Sequence, residues 1–190
     1  MRIIEHSSES YAPRTYVNAG RADLTIAFAM DFNTAGEKLT RKAAGTKYLA
    51  IGLDRDSVMA AREVWKACRD AGKGDKPLVL NIAGNGIYTL AKQGWTQEEV
   101  NKYIYDILAL VTKHWPIEMI VSGGQTGVDL AGGVVAEVLG IPCEMTFPKG
   151  FRQRYESGVD FDHNAIEIRT QVAYYAGVLS REIYEDDVPQ

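Results

Sequence analysis

Five short apolar runs rich in branched residues punctuate the chain: Asp23 to Met30, Tyr48 to Leu53, Pro77 to Ala83, Ile117 to Ser122 and Ile141 to Phe147. A strand with one face in water alternates apolar and polar residues, whereas an unbroken run suits a strand covered on both faces. The pattern predicts parallel strands sandwiched between helices.

Helical periodicity fills the intervals. After Leu53, Asp54 is placed to cap a helix with Val58, Ala61, Trp65 and Cys68 on one stripe and Gly72 at its end. Thr96-Gln97-Glu98-Glu99 is a capping-box pattern, and Val100, Tyr103, Ile104, Ile107, Leu108 and Val111 then recur at helical spacing. Behind the Gly-rich turn at Ser122 to Gly127, a helix turns Ala131, Val135 and Val138 to the sheet, with Gly132 and Gly133 permitting close approach. The last helix runs from about Asn164 to Ile183 with Ile168, Val172, Ala176 and Leu179 inside, and the acidic Glu185-Asp186-Asp187 predicts fraying at its end. Gly72-Lys73-Gly74-Asp75 reads as a surface turn.

Strand and helix in alternation, without internal repeat, predict an α/β fold. It is a Rossmann-like, three-layer, doubly wound parallel sheet of about five strands in one domain spanning residues 1–190. Right-handed crossovers then place every strand's carboxyl end along one rim.

Composition narrows the partners. The chain has 190 residues, 46% hydrophobic and 24% charged, an ordinary globular balance that excludes disordered and fibrous classes. The net charge of −4, with Lys and Arg scattered, argues against nucleic acid as a partner. Cys68 and Cys143 fall inside a predicted helix and a predicted strand and read as reduced core residues. No apolar run approaches the roughly 18 residues of a membrane span, and Met1 to His6 turns polar too early for a signal peptide, so a cytoplasmic protein with no membrane partner is expected.

In open α/β sheets the ligand lies beyond the carboxyl ends of the strands, which directs attention to four turns: Asp31 to Gly36, Gly84 to Gly86, Ser122 to Asp129, and Pro148 to Gly150. In the third, glycines let the backbone approach a ligand and the N–H groups of the first helical turn face an anion. Ser122, Gly123, Gly124, Gln125, Thr126 and Gly127 are therefore the predicted phosphate-binding residues. Asp129 stands in the first turn of the helix, where it serves either as a favourable end charge or as a contact to a ribose hydroxyl or ring nitrogen. Lys149, with Arg152 and Arg154 close behind, supplies mobile positive charge to the same rim. His6, His114 and His163 lie outside the strand-end turns, and neither a nucleophile elbow nor a Walker P-loop is present.

The stretch V-S-G-G-Q-T-G-V-D at Val121 to Asp129 resembles the opening motif of the molybdenum carrier family, and the likeness continues through Leu139-Gly140-Ile141-Pro142 and Phe147-Pro148-Lys149-Gly150. That family belongs to a Rossmann-like nucleotide-binding superfamily with the lysine-decarboxylase-like cytokinin-activating proteins and DNA-processing protein A. Glu5 to Asn18 with Ala22-Asp23-Leu24-Thr25, then Gly36-Glu37-Lys38-Leu39-Thr40, Lys47-Tyr48-Leu49, Leu80 to Gly84 and Gly86-Ile87-Tyr88, resemble segments that follow the P-K-G motif in the family. The order is reversed here, which reads as a circular permutation: residues 5–113 resemble the family's second half and 117–150 its first, with 151–190 as an extension carrying the last helix.

The resemblance implies a site for a phosphate-bearing nucleotide or a molybdopterin-like cofactor. Arg14, Thr15, Asn18, Thr40, Asn81, Gly84, Gly123, Gly124, Thr126, Asp129 and Lys149 stand at its motif positions. Arg14 is implied as a second phosphate contact, since a guanidinium clamps two oxygens. Two features depart from the pattern. The closing motif here continues as Asn85-Gly86 and lacks the family's arginine, a contact that Arg152 or Arg154 would have to supply, and the P-G-G-x-G-T-x-x-E signature of the cytokinin-activating enzymes is absent.

The expected function is capture of a phosphorylated, nucleotide-like small molecule, as carrier, sensor or sequestering protein. The alternative is hydrolysis of a nucleotide's N-glycosidic bond, with Asp129 or Glu37 as the catalytic carboxylate. Tyr174 and Tyr175 on the last helix give an apolar surplus that a homodimer would cover.

Overall fold

The computed structural model describes residues 1–72 and 76–186, with the side chain of Asp186 excepted. In chain order it contains β1 (Arg2–Glu5), α1 (Tyr11–Arg21), β2 (Leu24–Ala29), α2 (Ala35–Ala44), β3 (Tyr48–Gly52), α3 (Ser57–Ala71), β4 (Leu78–Gly84) and the short α4 (Ile87–Leu90). Then follow α5 (Gln97–Thr112), β5 (Ile117–Ser122), α6 (Val128–Leu139), β6 (Cys143–Phe147), β7 (Gln153–Arg154), β8 (Asp160–Phe161) and α7 (Ala165–Asp186). The surface turn expected at Gly72 to Asp75 falls mostly on residues 73–75, outside the described residues, as does Asp187 of the acidic tail.

Six strands pair in the order β1-β6-β5-β4-β2-β3, all parallel, with Ala27 of β2 set between Ala83 of β4 and Ala50 of β3. Helices cover both faces. α1 and α2 touch each other on one side, while α3, α5, α6 and α7 form a continuous row on the other. This is the Rossmann-like three-layer arrangement that the apolar runs predicted. The central strands lack the apolar–polar alternation of a half-exposed sheet because layers of side chains meet both their faces: every residue of β2 and of β6 is buried, Thr25, Glu144 and Thr146 included.

Three local readings need correction. The sheet holds a sixth strand, β1, paired with β6 from Arg2 beside Glu144 to Glu5 beside Phe147. With four residues, of which only Ile3 and Ile4 are apolar, it carries too little pattern to register as a strand and owes its form to the edge it extends. The cap of α3 is Asp56, whose carboxylate accepts from the Met59 N–H at 2.9 Å, and not Asp54. Its buried stripe is Ala60, Ala61, Val64 and Cys68, whereas Val58 is 54% and Trp65 36% exposed. Helical spacing admits either stripe. Contact with α5 and the sheet selects the one with small alanines, leaving Trp65 on the flank under the Arg69 guanidinium, 5.2 Å from the ring centre.

Elsewhere the pattern and the structure agree. Thr96 and Glu99 form a reciprocal capping box on α5, and Val100, Ile104, Ile107, Leu108 and Val111 are buried. A Cβ added at Gly132 would lie 2.9 Å from that of Ile82, so α6 sits on the sheet at a distance only glycine allows. Ile168, Val172, Ala176 and Leu179 are the inner face of α7, and both cysteines are buried and unbridged. No described helix is long and apolar enough to cross a membrane.

The connections determine where a ligand fits. From β1 to β2 to β3 the chain moves across the sheet in one direction, and from β3 through β4 and β5 to β6 it moves back. β2 and β4 are neighbours whose following helices leave in opposite directions and on opposite faces. That divergence opens a crevice at their carboxyl ends, the usual ligand position in such sheets.

Candidate functional site

A cavity of about 530 Å³ occupies this crevice. Its wall draws on α1 and the residue before it (Ser10, Tyr11, Ala12, Arg14, Thr15, Asn18) and on the start of α2 (Thr34 to Glu37, with Leu39 and Thr40). The end of β4 (Asn81, Ala83 to Gly86) contributes as well, together with Tyr88 and Thr89 of α4, Gly123, Gln125, Asp129 and Arg154. Of the residues expected from sequence, Arg14, Thr15, Glu37, Asn81, Gly84, Gly123, Gln125 and Asp129 line it together. Ser122, Gly124, Thr126, Gly127 and Lys149 do not.

Each of those five has a definite position. The Ser122 hydroxyl is fully buried within reach of the Ile82 and Asp129 carbonyl oxygens, at 2.9 and 2.6 Å, and ties β5 to β4 and to α6. Gly124 has φ +69° and an added Cβ there would strike the Phe147 ring. Thr126 donates its hydroxyl to the Arg154 carbonyl. Gly127, at φ +93°, pairs with Gly86 and is clamped by the Gln97 carboxamide, which accepts from its N–H at 2.6 Å and donates to its carbonyl at 2.9 Å. Lys149 has a side chain 60% exposed, 3.8 Å from Glu9 and off the cavity wall.

The glycines of the turn thus have a packing reason. Gly123 leaves room for a buried ion pair: Arg14 Nη1 donates to Asp129 Oδ2 at 3.0 Å, and a Cβ at 123 would strike both side chains. Arg14 is 6% and Asp129 8% exposed. Two N–H groups at the start of α6 that an anion would use are already paired, Gly127 with Gln97 and Val128 with the Asn85 carbonyl at 3.2 Å. The first turn of α6 therefore presents the Asp129 carboxylate to the cavity as much as it presents donors.

Three buried polar side chains of the wall carry unmet hydrogen-bonding capacity. Asn81 donates its amide to the Thr25 hydroxyl at 3.2 Å, and its Oδ1 has no partner among the described residues. The same holds for Glu37 Oε2 and for Arg14 Nε. Leaving a buried polar atom unpaired costs about 1–3 kcal/mol. Three such atoms around one cavity mark a place that the fold has not optimised for its own stability.

Electrostatics sharpen this. Glu37 is 2% exposed, and loss of hydration pushes its carboxyl up to about 8, with the negative charges of Asp129 and Asp31 adding to the effect. It is largely protonated at neutral pH. Burial also raises Asp129, against which the Arg14 guanidinium and the backbone N–H groups of Gly84 and Gln125 hold its charge. One neutral carboxyl and one ion-paired carboxylate thus share the cavity. Among the described residues no cluster of His, Cys, Asp and Glu is arranged to hold a metal ion.

Compared with known proteins, the chain matches no family model, and neither a curated protein nor a solved structure matches it significantly.

Several residues of the site carried no sequence signal of their role. Asn85 fixes the β2–α2 loop, its Oδ1 accepting from the Met30 and Asp31 N–H groups and its Nδ2 donating to the Asp31 carbonyl, each at 3.0 Å. Gln97 lies inside a capping-box pattern that explains its position without hinting at the clamp on Gly127. The hairpin of β7 and β8 docks on the Gly-rich turn, with Gln153 donating to the Gly124 carbonyl at 2.7 Å and the Arg154 N–H to Gln125 Oε1 at 2.9 Å. It sets Arg154, held by Asp160 through two bonds at 2.8 and 3.0 Å, in the cavity wall.

Proposed function

We propose that this chain captures a phosphate-bearing, nucleotide-like small molecule in the cavity between β2 and β4. The observation that carries this reading is the position of the cavity, at the switch point of the sheet with the first turns of α1 and α2 in its wall. Its volume suits a mononucleotide or a pterin of similar size. Arg154, rather than Lys149, is the exposed cation bordering it, beside the buried Arg14, and stands in for the arginine that the resembling motif lacks. The likeness to the molybdenum carrier family, read as a circular permutation, supports the same ligand class.

Denaturing freshly purified protein and identifying the released small molecules by mass spectrometry tests the proposal, beside a Gly123→Leu variant whose side chain would fill the space at the turn. A nucleotide or pterin released from the native protein alone is the expected result. If neither is released, and no nucleotide raises the melting temperature at millimolar concentration, the reading fails.

A second reading, hydrolysis of a nucleotide's N-glycosidic bond, is favoured by one observation: two buried carboxyl groups in different settings, Glu37 with an unpartnered oxygen and Asp129 paired with Arg14, line the same cavity. Glu37 would protonate the leaving base, Asp129 would stabilise the developing oxocarbenium charge, and water would add to C1′ and return a proton to Glu37. Appearance of free base and ribose 5-phosphate from a nucleoside monophosphate would establish it. We extend the proposal to a homodimer through α7, on which Tyr174 is 62% exposed. Light scattering that gives the monomer mass at micromolar concentration would remove that extension.

A further inference from the structure

The cavity is chemically graded from floor to rim. Asn81, Glu37, Asn18, Thr40 and Arg14 form its buried part, each less than a tenth exposed, whereas Ser10, Tyr88 and Arg154 form an exposed margin. The floor supplies two oxygen atoms without partners, Asn81 Oδ1 and Glu37 Oε2, and one N–H without an acceptor, Arg14 Nε.

A phosphate suits this floor poorly. The Arg14 charge is already matched by Asp129, and the Asp129 carboxylate would face the phosphate's oxygens. A planar base offers donors and acceptors fixed in its plane, while the unmet atoms here come from α1, α2 and β4, three elements that approach from different directions. Hydroxyl groups fit better, since each can donate one hydrogen bond and accept others while rotating to suit. Two neighbouring hydroxyls would donate to Asn81 Oδ1 and Glu37 Oε2 and accept from Arg14 Nε–H. The three atoms are sealed from bulk water, so engaging them takes a turn about a side-chain torsion.

We infer that the floor of the cavity binds the vicinal diol of a sugar, and that the ligand's phosphate lies in the solvent-open margin bordered by Arg154, whose side chain is 44% exposed where that of Arg14 is buried. This rests on the nucleotide-like reading above and adds to it a selectivity: ribose over 2-deoxyribose. A site built to bond a hydroxyl rejects the analogue lacking it because its own buried groups are then left unpaired. A loss of at least about tenfold in affinity is expected for one such bond.

Isothermal titration of the intact protein with AMP, GMP, CMP and UMP, their 2′-deoxy counterparts and the four parent nucleosides tests this. The expected outcome is that the best ribonucleotide binds at least about tenfold more tightly than its deoxy counterpart, and more tightly than its nucleoside. Equal affinity for the ribo and deoxy forms, with the nucleoside weaker, overturns the diol inference and leaves the phosphate reading standing. Equal affinity for nucleotide and nucleoside, with the deoxy form weaker, does the reverse. If no compound binds at millimolar concentration, both fall.

Discussion

Replacing Glu37 with Gln tests the electrostatics of the cavity directly. The carboxyl has an ordinary value of 4.5 in an unfolded chain and is pushed up to about 8 in the folded protein, first by loss of hydration and then by Asp129 and Asp31. Between those values the folded state holds a proton that the unfolded state has released, so folding stability falls as pH rises through this window. At about 1.4 kcal/mol per pH unit the decline accumulates to roughly 5 kcal/mol by pH 8 and then levels off. This is a large share of the 5–15 kcal/mol that typically separates folded from unfolded domains. Gln has almost the same shape and cannot ionise, so the variant lacks this slope. Urea unfolding at pH 5.5, 6.5 and 7.5, followed by the fluorescence of Trp65, Trp95 and Trp115, measures it. The wild type should lose more than about 2 kcal/mol relative to Glu37→Gln across the series, and the variant should be the more stable protein at pH 7.5. Parallel profiles for the two proteins would falsify the assignment of a protonated Glu37.

Three further outcomes follow from the same geometry. Gly124→Ala should destabilise by about 2 kcal/mol more than Gly140→Ala, because both positions have φ near +68° while only the former meets a ring, that of Phe147; equal losses in thermal melts would remove the packing reason given for Gly124. Asp129→Asn should cost about 3–5 kcal/mol by leaving the Arg14 cation buried without its counter-ion, and Arg14→Met in the same chain should restore much of that loss in a double-mutant cycle. Gln97→Ala should cost about 2 kcal/mol through the unpaired N–H of Gly127, whose carbonyl keeps the Ala131 N–H at 3.1 Å; amide exchange should be faster at the start of α6, and an unchanged rate would show the clamp to be dispensable.

The layered parallel sheet was legible because burial on both faces leaves its mark residue by residue: β2 and β4 are apolar but for Thr25 and Asn81, and α5 announces its start in Thr96 and Glu99. The stripe of α7 was equally legible, since Ile168, Val172, Ala176 and Leu179 recur at the helical period and are buried. By contrast, β1 exists because β6 offers an open edge, and the face of α3 was chosen by its neighbour α5. Neither choice is encoded in the segment itself.

The strand-end rule pointed to the rim where the cavity lies, and Arg14, Glu37, Asn81 and Asp129, which line it, were named from the chain before any contact was known. What the chain could not state was that Arg14 and Asp129 neutralise each other across 115 positions of sequence, or that the glycines beside them make room for that pair. Hydrogen-bond satisfaction belongs to the assembled molecule, so only the tertiary structure could mark Asn81, Glu37 and Arg14 as the groups left wanting a partner. The sequence determined the layered sheet and the rim at which its polar residues gather; long-range packing decided which of those residues are paired within the fold and which keep unmet hydrogen-bonding capacity.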